Sequence, residues 1–304
     1  MTGKGTVICR LDLLGITLLI LTGCAKPDAE RLDHPRLVAN VGSRDVVFYS
    51  KAVGRQMRYR VILPLSVPTN GHLPVVYLLH GGGGDFRDWS NYSDVARFAG
   101  AGLVLVMPQG DYSYYLNAVQ PHENRYEDYI VHDLVSDVET KFAVASHRAD
   151  RSIVGVSMGG FGAIKITLSH PDLFNFVGAL SPAIDVARRP FSIKRFQQYR
   201  ALAAIFGPWG SRSRRDNDPF VLVQSVNRAA APYVFLSCGE GEGLLPANRQ
   251  FAAILQARQL AHEFHVVPGG HDWNQWNNEL PKVFESLQRH ISHDANSVVV
   301  PPHL

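Results

Sequence analysis

The sequence predicts an α/β protein built on a doubly wound, mostly parallel sheet with helices on both faces. Three observations predict it. Continuous apolar runs of strand length alternate with helix-length segments along most of the 304 residues. A different pattern, period-two alternation, precedes them and marks an antiparallel edge. The residues with chemical potential fall directly after strand-like runs, on the rim where such sheets bind ligands. A chain of this length that is 46% hydrophobic has room for one large domain or two small ones.

The elements follow in order. Residues 42–64 alternate apolar and polar side chains on either side of Gly54, first Val46 to Tyr49 and then Met57 to Leu63. That is the pattern of an antiparallel hairpin at a sheet edge. After a turn-rich link, 73–79 (LPVVYLL) is apolar throughout, as a strand buried on both faces must be. A helix over about 88–99, a strand over 103–107 and a helix over about 126–142 come next. Ile153-Val154 leads into a glycine-flanked turn, and 161–170 leaves it as a helix. A strand over 176–180 precedes residues 182–231, which are less regular and rich in Arg and Pro. These residues are expected to form a small cap-like insertion. A strand over 233–238, a helix over about 245–260, a strand over 264–267 and a helix over 279–290 close a domain of 41–292. Residues 293–304 form a tail.

Composition narrows the function. The formal net charge is +3, and the one dense basic cluster, Arg212-Ser213-Arg214-Arg215, reads as a solvated loop. Nucleic acid is therefore not an expected partner. No His-x-x-Glu-His, His-Glu-x-x-His or Cys-x-x-Cys spacing indicates a metal, and no cofactor is expected.

The N-terminus reads as a targeting segment. Lys4 and Arg10 precede 13–21 (LLGITLLIL), an apolar run too short to span a bilayer. It ends in Leu21-Thr22-Gly23-Cys24, which resembles a bacterial lipobox, although Asp12 interrupts the apolar lead-in. The resemblance implies a signal peptide over 1–23, a lipid on Cys24, a tether over 24–40 and a lipid-anchored place in the cell envelope. The membrane would be touched only through that lipid. Cys9 would leave with the signal, so Cys238 would remain as a free thiol with no partner for a disulfide.

The chemistry centres on Gly155-Val156-Ser157-Met158-Gly159. This is G-x-S-x-G between a strand and a helix. A serine at the tip of so tight a turn stands in an unusual backbone conformation, and a Cβ on the flanking glycines would clash. The turn places Ser157 at a helix N-terminus, where free N–H groups favour developing negative charge. A nucleophile needs a base, and His271 lies in Pro268-Gly269-Gly270-His271-Asp272-Trp273, directly after the last strand. An orienting acid comes from the loop after 233–238, where Glu240 and Glu242 both stand; adjacent Asp272 cannot readily turn towards its neighbour. Two oxyanion donors are expected, the N–H of Met158 and one from His80-Gly81-Gly82-Gly83-Gly84, assigned to Gly82.

With these residues placed, the chain resembles the esterase D branch of the α/β-hydrolases. That branch includes S-formylglutathione hydrolases, feruloyl and acetylxylan esterases and the antigen 85 mycolyltransferases. The likeness runs through LLHGGGG at 78–84, LVMPQGDYSYY at 105–115, GVSMGGFGA at 155–163, SPA at 181–183, CGEGEGLLPANRQF at 238–251 and PGGHDWNQW at 268–276. It implies an α/β-hydrolase fold with Ser157 as nucleophile, His271 as base, Glu242 as acid, and Gly82 and Met158 as oxyanion donors. Many relatives carry aspartate where Glu242 stands. Tyr112, Tyr114 and Trp273 are expected to contact substrate, with Trp276 walling the site.

The expected function is a serine ester hydrolase acting through an acyl-enzyme on a small ester, such as an acylated or feruloylated sugar. Two other readings use the same features: an acyltransferase of the mycolyltransferase type, and a silent binding protein on a hydrolase scaffold. The sequence leaves the oligomeric state open.

Overall fold

The computed structural model describes residues 32–66, 72–191 and 193–291. Cys24, the lipobox before it and the tail lie outside them. Eight strands form one sheet in the order β1-β2-β4-β3-β5-β6-β7-β8. β1 (Val41–Ser50) and β2 (Arg55–Pro64) form the antiparallel edge, and β2 continues antiparallel onto β4 (Val104–Pro108). From there the sheet is parallel through β3 (Val75–Leu79), β5 (Arg151–Val156), β6 (Phe176–Leu180), β7 (Tyr233–Gly239) and β8 (His262–Val267).

β3, β4 and β6 in the middle of the sheet are apolar at successive positions because both faces are covered. Val75, Tyr77 and Leu79 enter one core, and Val76 and Leu78 enter the other. The first core is closed by helices that include Met158–Ser169 and Leu245–Ala257. The second is closed by Asp88–Tyr92, Ala96–Gly100 and Trp273–Gln288.

Strand order reverses between β3 and β5. β3 is followed in sequence by β4 on one side of it, while β5 lies on the other. A crevice opens outside the carboxyl ends at such a switch point. Register sets the strand ends level there: Leu79 pairs with Gly155, Val156 with Leu180, and Leu180 with Ser237.

Several boundaries differ from the sequence reading. The helix expected over 88–99 is two short helices, because Ser93 is extended (φ −136°) and the Asp94 N–H and carboxylate are both held by Asn277. The last helix begins at Trp273 rather than 279, because the Asp272 carboxylate accepts from the N–H groups of Asn274 and Gln275. The insertion is helical: Phe196–Phe206, Arg212–Asp216 and Pro219–Ser225, the last packing on Met158–Ser169. The Arg212–Arg215 cluster is not a solvated loop. Arg214 is buried and donates to the carbonyls of Gly207, Ala187 and Arg189. His34 and Arg36, assigned to the tether, have their N–H groups on Asn91 and Ser90.

Candidate active site

Ser157 sits between β5 and the helix Met158–Ser169 with φ 55° and ψ −112°. A non-glycine residue there stores roughly 1–3 kcal/mol of strain. The turn closes because its glycines permit contact with backbone. A Cβ on Gly155 would lie 2.2 Å from the Gly159 carbonyl carbon, and one on Gly159 would lie 2.3 Å from the Leu79 oxygen. Gly159 thus lets the helix start against the end of β3. The Ser157 N–H extends the ladder to the Leu180 carbonyl at 2.9 Å.

His271 reaches Ser157 from the loop after β8. Its Nε2 is 2.8 Å from Ser157 Oγ, and its Nδ1 is 2.7 Å from Glu242 Oε2. The loop is placed by Gly269, at φ 126°, whose carbonyl accepts the Gly241 N–H. Glu240 and Glu242 are thereby distinguished. The Glu240 N–H pairs with Val267 and its side chain is exposed, whereas the Glu242 side chain is 1% exposed and faces His271.

Glu242 is strongly bonded. Its Oε1 accepts from Ser181 Oγ at 2.5 Å and from the Gly239 N–H at 2.8 Å. Burial works to raise the carboxyl's pKa, but the bonds from His271, Ser181 and Gly239 outweigh it, and Glu242 is held below its ordinary value. An ionised carboxylate on Nδ1–H fixes the imidazole tautomer that leaves Nε2 free to accept from Ser157.

Ser181 carries no role in the sequence reading beyond its place in the SPA landmark. It is fully buried at the end of β6 with φ 48°, donates to Glu242 and accepts from the Trp276 indole N–H at 3.0 Å. A Ser-Pro pair directly after a strand on the active rim is the signal that points to it.

The loop after β3 lies against the nucleophile. A Cβ on Gly81 would be 3.5 Å from Ser157 Cβ, and one on Gly82 would be 4.0 Å from Met158 Cβ. Met158 opens its helix, so its N–H has no intrahelical acceptor. The two N–H groups assigned to the oxyanion thus belong to neighbouring backbone segments. His80 fixes that loop from below. It is buried, its Nε2 accepts the Gly110 N–H at 2.9 Å, and its Nδ1 therefore carries the proton it donates to the Gly81 carbonyl at 2.8 Å. The Tyr115 hydroxyl donates to the His80 carbonyl at 3.1 Å. Asp111, at φ 45°, is bound by Gln109, Tyr126 and Arg55, which together hold it below its ordinary pKa although burial works to raise it.

The aromatic residues divide. The Tyr112 ring is 44% exposed and lies over Gly82, where a Cβ would meet it at 3.2 Å. Tyr114 is buried, packed edge-on against Phe161, Phe206 and the Tyr112 ring, with its hydroxyl 3.5 Å from that of Tyr112. Trp276 is the ring against His271, at 5.1 Å edge-on. Trp273 stands behind it, half-buried among Trp89, Tyr92 and Trp276. Tyr112 is thus placed beside the candidate oxyanion loop, and Tyr114 and Trp273 support the rings that face the site.

The comparisons with known proteins agree with this architecture. The Esterase family model matches residues 50–287. An acetyl esterase of Caldicellulosiruptor saccharolyticus is 27% identical over 259 residues, which are 80% of this chain and 96% of that protein. FphF, a fluorophosphonate-binding serine hydrolase of Staphylococcus aureus, is 26% identical with a TM-score of 0.71, over 81% of this chain and 98% of that one. The S-formylglutathione hydrolase FrmB of Staphylococcus aureus is 25% identical with a TM-score of 0.70, over the same shares. A serine at a strained turn beside the sheet's switch point, with a family match over residues 50–287, identifies the chain as a member of the Esterase family, a serine esterase with the α/β-hydrolase fold.

Proposed function

We propose that this chain hydrolyses carboxylic esters through an acyl-enzyme on Ser157. The observation that carries the reading is the continuous Ser157–His271–Glu242 relay, with contacts of 2.8 and 2.7 Å, beside two backbone N–H groups. Ser157 Oγ attacks the ester carbonyl carbon while His271 Nε2 takes its proton. The carbonyl oxygen, now negative, is met by the N–H groups of Met158 and Gly82, donors worth about 10²–10³ in rate each. His271, as imidazolium, gives the proton to the departing alkoxide, and the alcohol leaves. Water then attacks the acyl-enzyme, His271 takes its proton and returns it to Ser157, and the carboxylic acid is released. The His271 side chain is 39% exposed, which gives water direct access for the second half.

The proposed substrate is a small ester of a sugar, acetylated or feruloylated. The similarity to an acetyl esterase supports a short acyl group. The exposed Tyr112 ring over Gly82 supplies a flat apolar wall for an aryl acyl group or a sugar face. Comparing kcat/KM for acetyl, butyryl and feruloyl esters, with Ser157→Ala beside the wild type, tests both parts. Loss of all turnover in the variant is expected, and turnover retained by Ser157→Ala would overturn the mechanism. We further propose that Cys24 is lipidated and holds the enzyme at the cell envelope. Cys24→Ser should then move the protein to the soluble fraction once membranes are washed in high salt, which releases contacts held by charge; retention in the salt-washed membranes would refute the anchor.

A further inference from the structure

The insertion has a charge and surface composition unlike the rest of the chain. Residues 186–215 hold eight Lys and Arg and no Asp or Glu, while the chain as a whole is only +3, so the remainder is net negative. Part of this charge is spent internally. Arg188, Arg189 and Arg212 pair with Asp218, Asp185 and Asp216, and Arg214 is buried. Lys194, Arg200 and Arg215 are exposed.

The same stretch exposes large apolar side chains. Phe191 is 50% exposed, Ile193 80%, Phe196 46% and Trp209 58%. Three of them are tied to the helix Phe196–Phe206. Phe191 packs edge-on against Tyr199 at 4.9 Å, the Trp209 backbone N–H reaches the Tyr199 hydroxyl, and Phe196 lies in the helix with the Arg200 guanidinium over its ring. The opposite face of the helix Phe196–Phe206 is buried through Leu202, Ile205 and Phe206. Phe206 meets Tyr114 at 5.3 Å, and Tyr114 meets Tyr112 at 5.5 Å, so the exposed face backs onto an element of the Ser157 rim.

We propose that the outer face carrying Phe191, Ile193, Lys194, Phe196, Arg200 and Trp209 rests on an anionic lipid surface. A membrane interface rewards both features at once. Phe, Ile and Trp side chains enter the headgroup boundary, and Lys and Arg meet lipid phosphates. A water-soluble polyanion would match the charge but leave the four apolar side chains in water. No helix of the described residues is long and apolar enough to cross a membrane, so the contact is peripheral. It is a second contact beyond any lipid at the N-terminus, and it would orient the esterase rim relative to the bilayer.

The test uses the full chain and vesicles whose acyl chains carry bromine, which quenches tryptophan on contact. Vesicles of phosphatidylglycerol mixed with phosphatidylcholine are compared with phosphatidylcholine alone. Of the four tryptophans only Trp209 is largely exposed, so quenching is expected with the anionic vesicles and should vanish in Trp209→Phe. Because the readout is local to Trp209, insertion of the N-terminus alone does not produce it. The double variant Lys194→Glu, Arg200→Glu should weaken vesicle-induced quenching at least tenfold while leaving turnover of a soluble ester unchanged. That turnover also reports that the variant is folded. Quenching that persists in Trp209→Phe, equal quenching by uncharged vesicles, or no quenching at all would overturn the proposal. So would tight binding to heparin with no response to vesicles, which would assign the face to an acidic polymer.

Discussion

Exchanging Glu242 for glutamine should cost more activity than removing its side chain. The reason is the division of labour between its oxygens. Oε1 accepts from Ser181 Oγ and the Gly239 N–H, and Oε2 accepts from His271 Nδ1 at 2.7 Å. A glutamine must set its carbonyl where the two donors converge. The reverse orientation would face an NH₂ against both and leave buried donors unpaired, at about 1–3 kcal/mol each. The favoured orientation therefore leads by roughly 2–6 kcal/mol, and it points the NH₂ at Nδ1. Nδ1 must then accept, the imidazole proton moves to Nε2, and Nε2 can no longer take a proton from Ser157 at 2.8 Å. Only the minor orientation is competent, so kcat should fall on the order of 10³–10⁴, as expected for a triad locked in the wrong tautomer. In Glu242→Ala nothing dictates the tautomer, and kcat should be at least about tenfold above that of the glutamine variant. The assay is steady-state hydrolysis of p-nitrophenyl acetate, with circular dichroism confirming that each variant is folded. A glutamine variant within tenfold of wild type, or an alanine variant below it, would refute the reasoning.

Other changes have defined outcomes. Gly159→Ala forces a Cβ to 2.3 Å from the Leu79 oxygen and 2.6 Å from the His80 oxygen, both backbone, so it should lower stability by about 3 kcal/mol or more and the melting temperature by roughly 6–12 °C; an unchanged melting temperature would contradict the packing. Glu242 and Glu127 are both held below their ordinary 4.5 despite burial, Glu242 by His271, Ser181 and Gly239, and Glu127 by His170 and Lys165. Lowered carboxyl pKa values stabilise the fold above that range, and the contribution is lost as pH falls through the lowered values. Melting temperature should therefore drop below about pH 4.5, less steeply in Glu242→Gln, whereas a rise there would reverse the sign. Burial first, with the Glu242 charge beside it, pushes the Cys238 thiol up to about 12. Mass-spectrometric mapping after iodoacetamide at pH 8 should find Cys238 unmodified in native protein and modified in urea.

How much the sequence discloses depends on whether a position is fixed by local pattern or by packing at a distance. β3 and β6 are legible because burial on both faces demands unbroken apolar runs such as Val75 to Leu79, whereas β5 shows only its Ile153-Val154 part because it opens with buried Arg151 and Ser152. β8 is longer than its apolar part, because its half-covered edge admits His262 and Glu263. The break at Ser93 is not legible, since it depends on Asn277, 183 residues beyond Asp94. The early start of the last helix is marked in the sequence by Asp-x-x-Gln at 272–275, a cap signal that the expected start at 279 passes over.

In the site, Ser157, His271 and the acidic loop each follow a strand, and that position alone brings them to one rim. Choosing between Glu240 and Glu242 needs the direction of a turn, set by the Glu240 N–H on Val267 and the Gly241 N–H on Gly269. Tyr112 and Tyr114 look equivalent in sequence. The left-handed backbone at Tyr114 (φ 53°) is associated with a ring sent inward, while Tyr112 stays at the surface. Ser181 and His80 act through other residues rather than on a substrate, and no spacing rule marks that kind of role.

The most direct test of the account is to treat the full chain with a fluorophosphonate, digest it with trypsin and map the adduct. The account predicts one equivalent of label on the peptide from Ser152 to Lys165, at Ser157 and absent from Ser157→Ala. Folded wild-type protein that takes no label, or label that persists in Ser157→Ala, would contradict it.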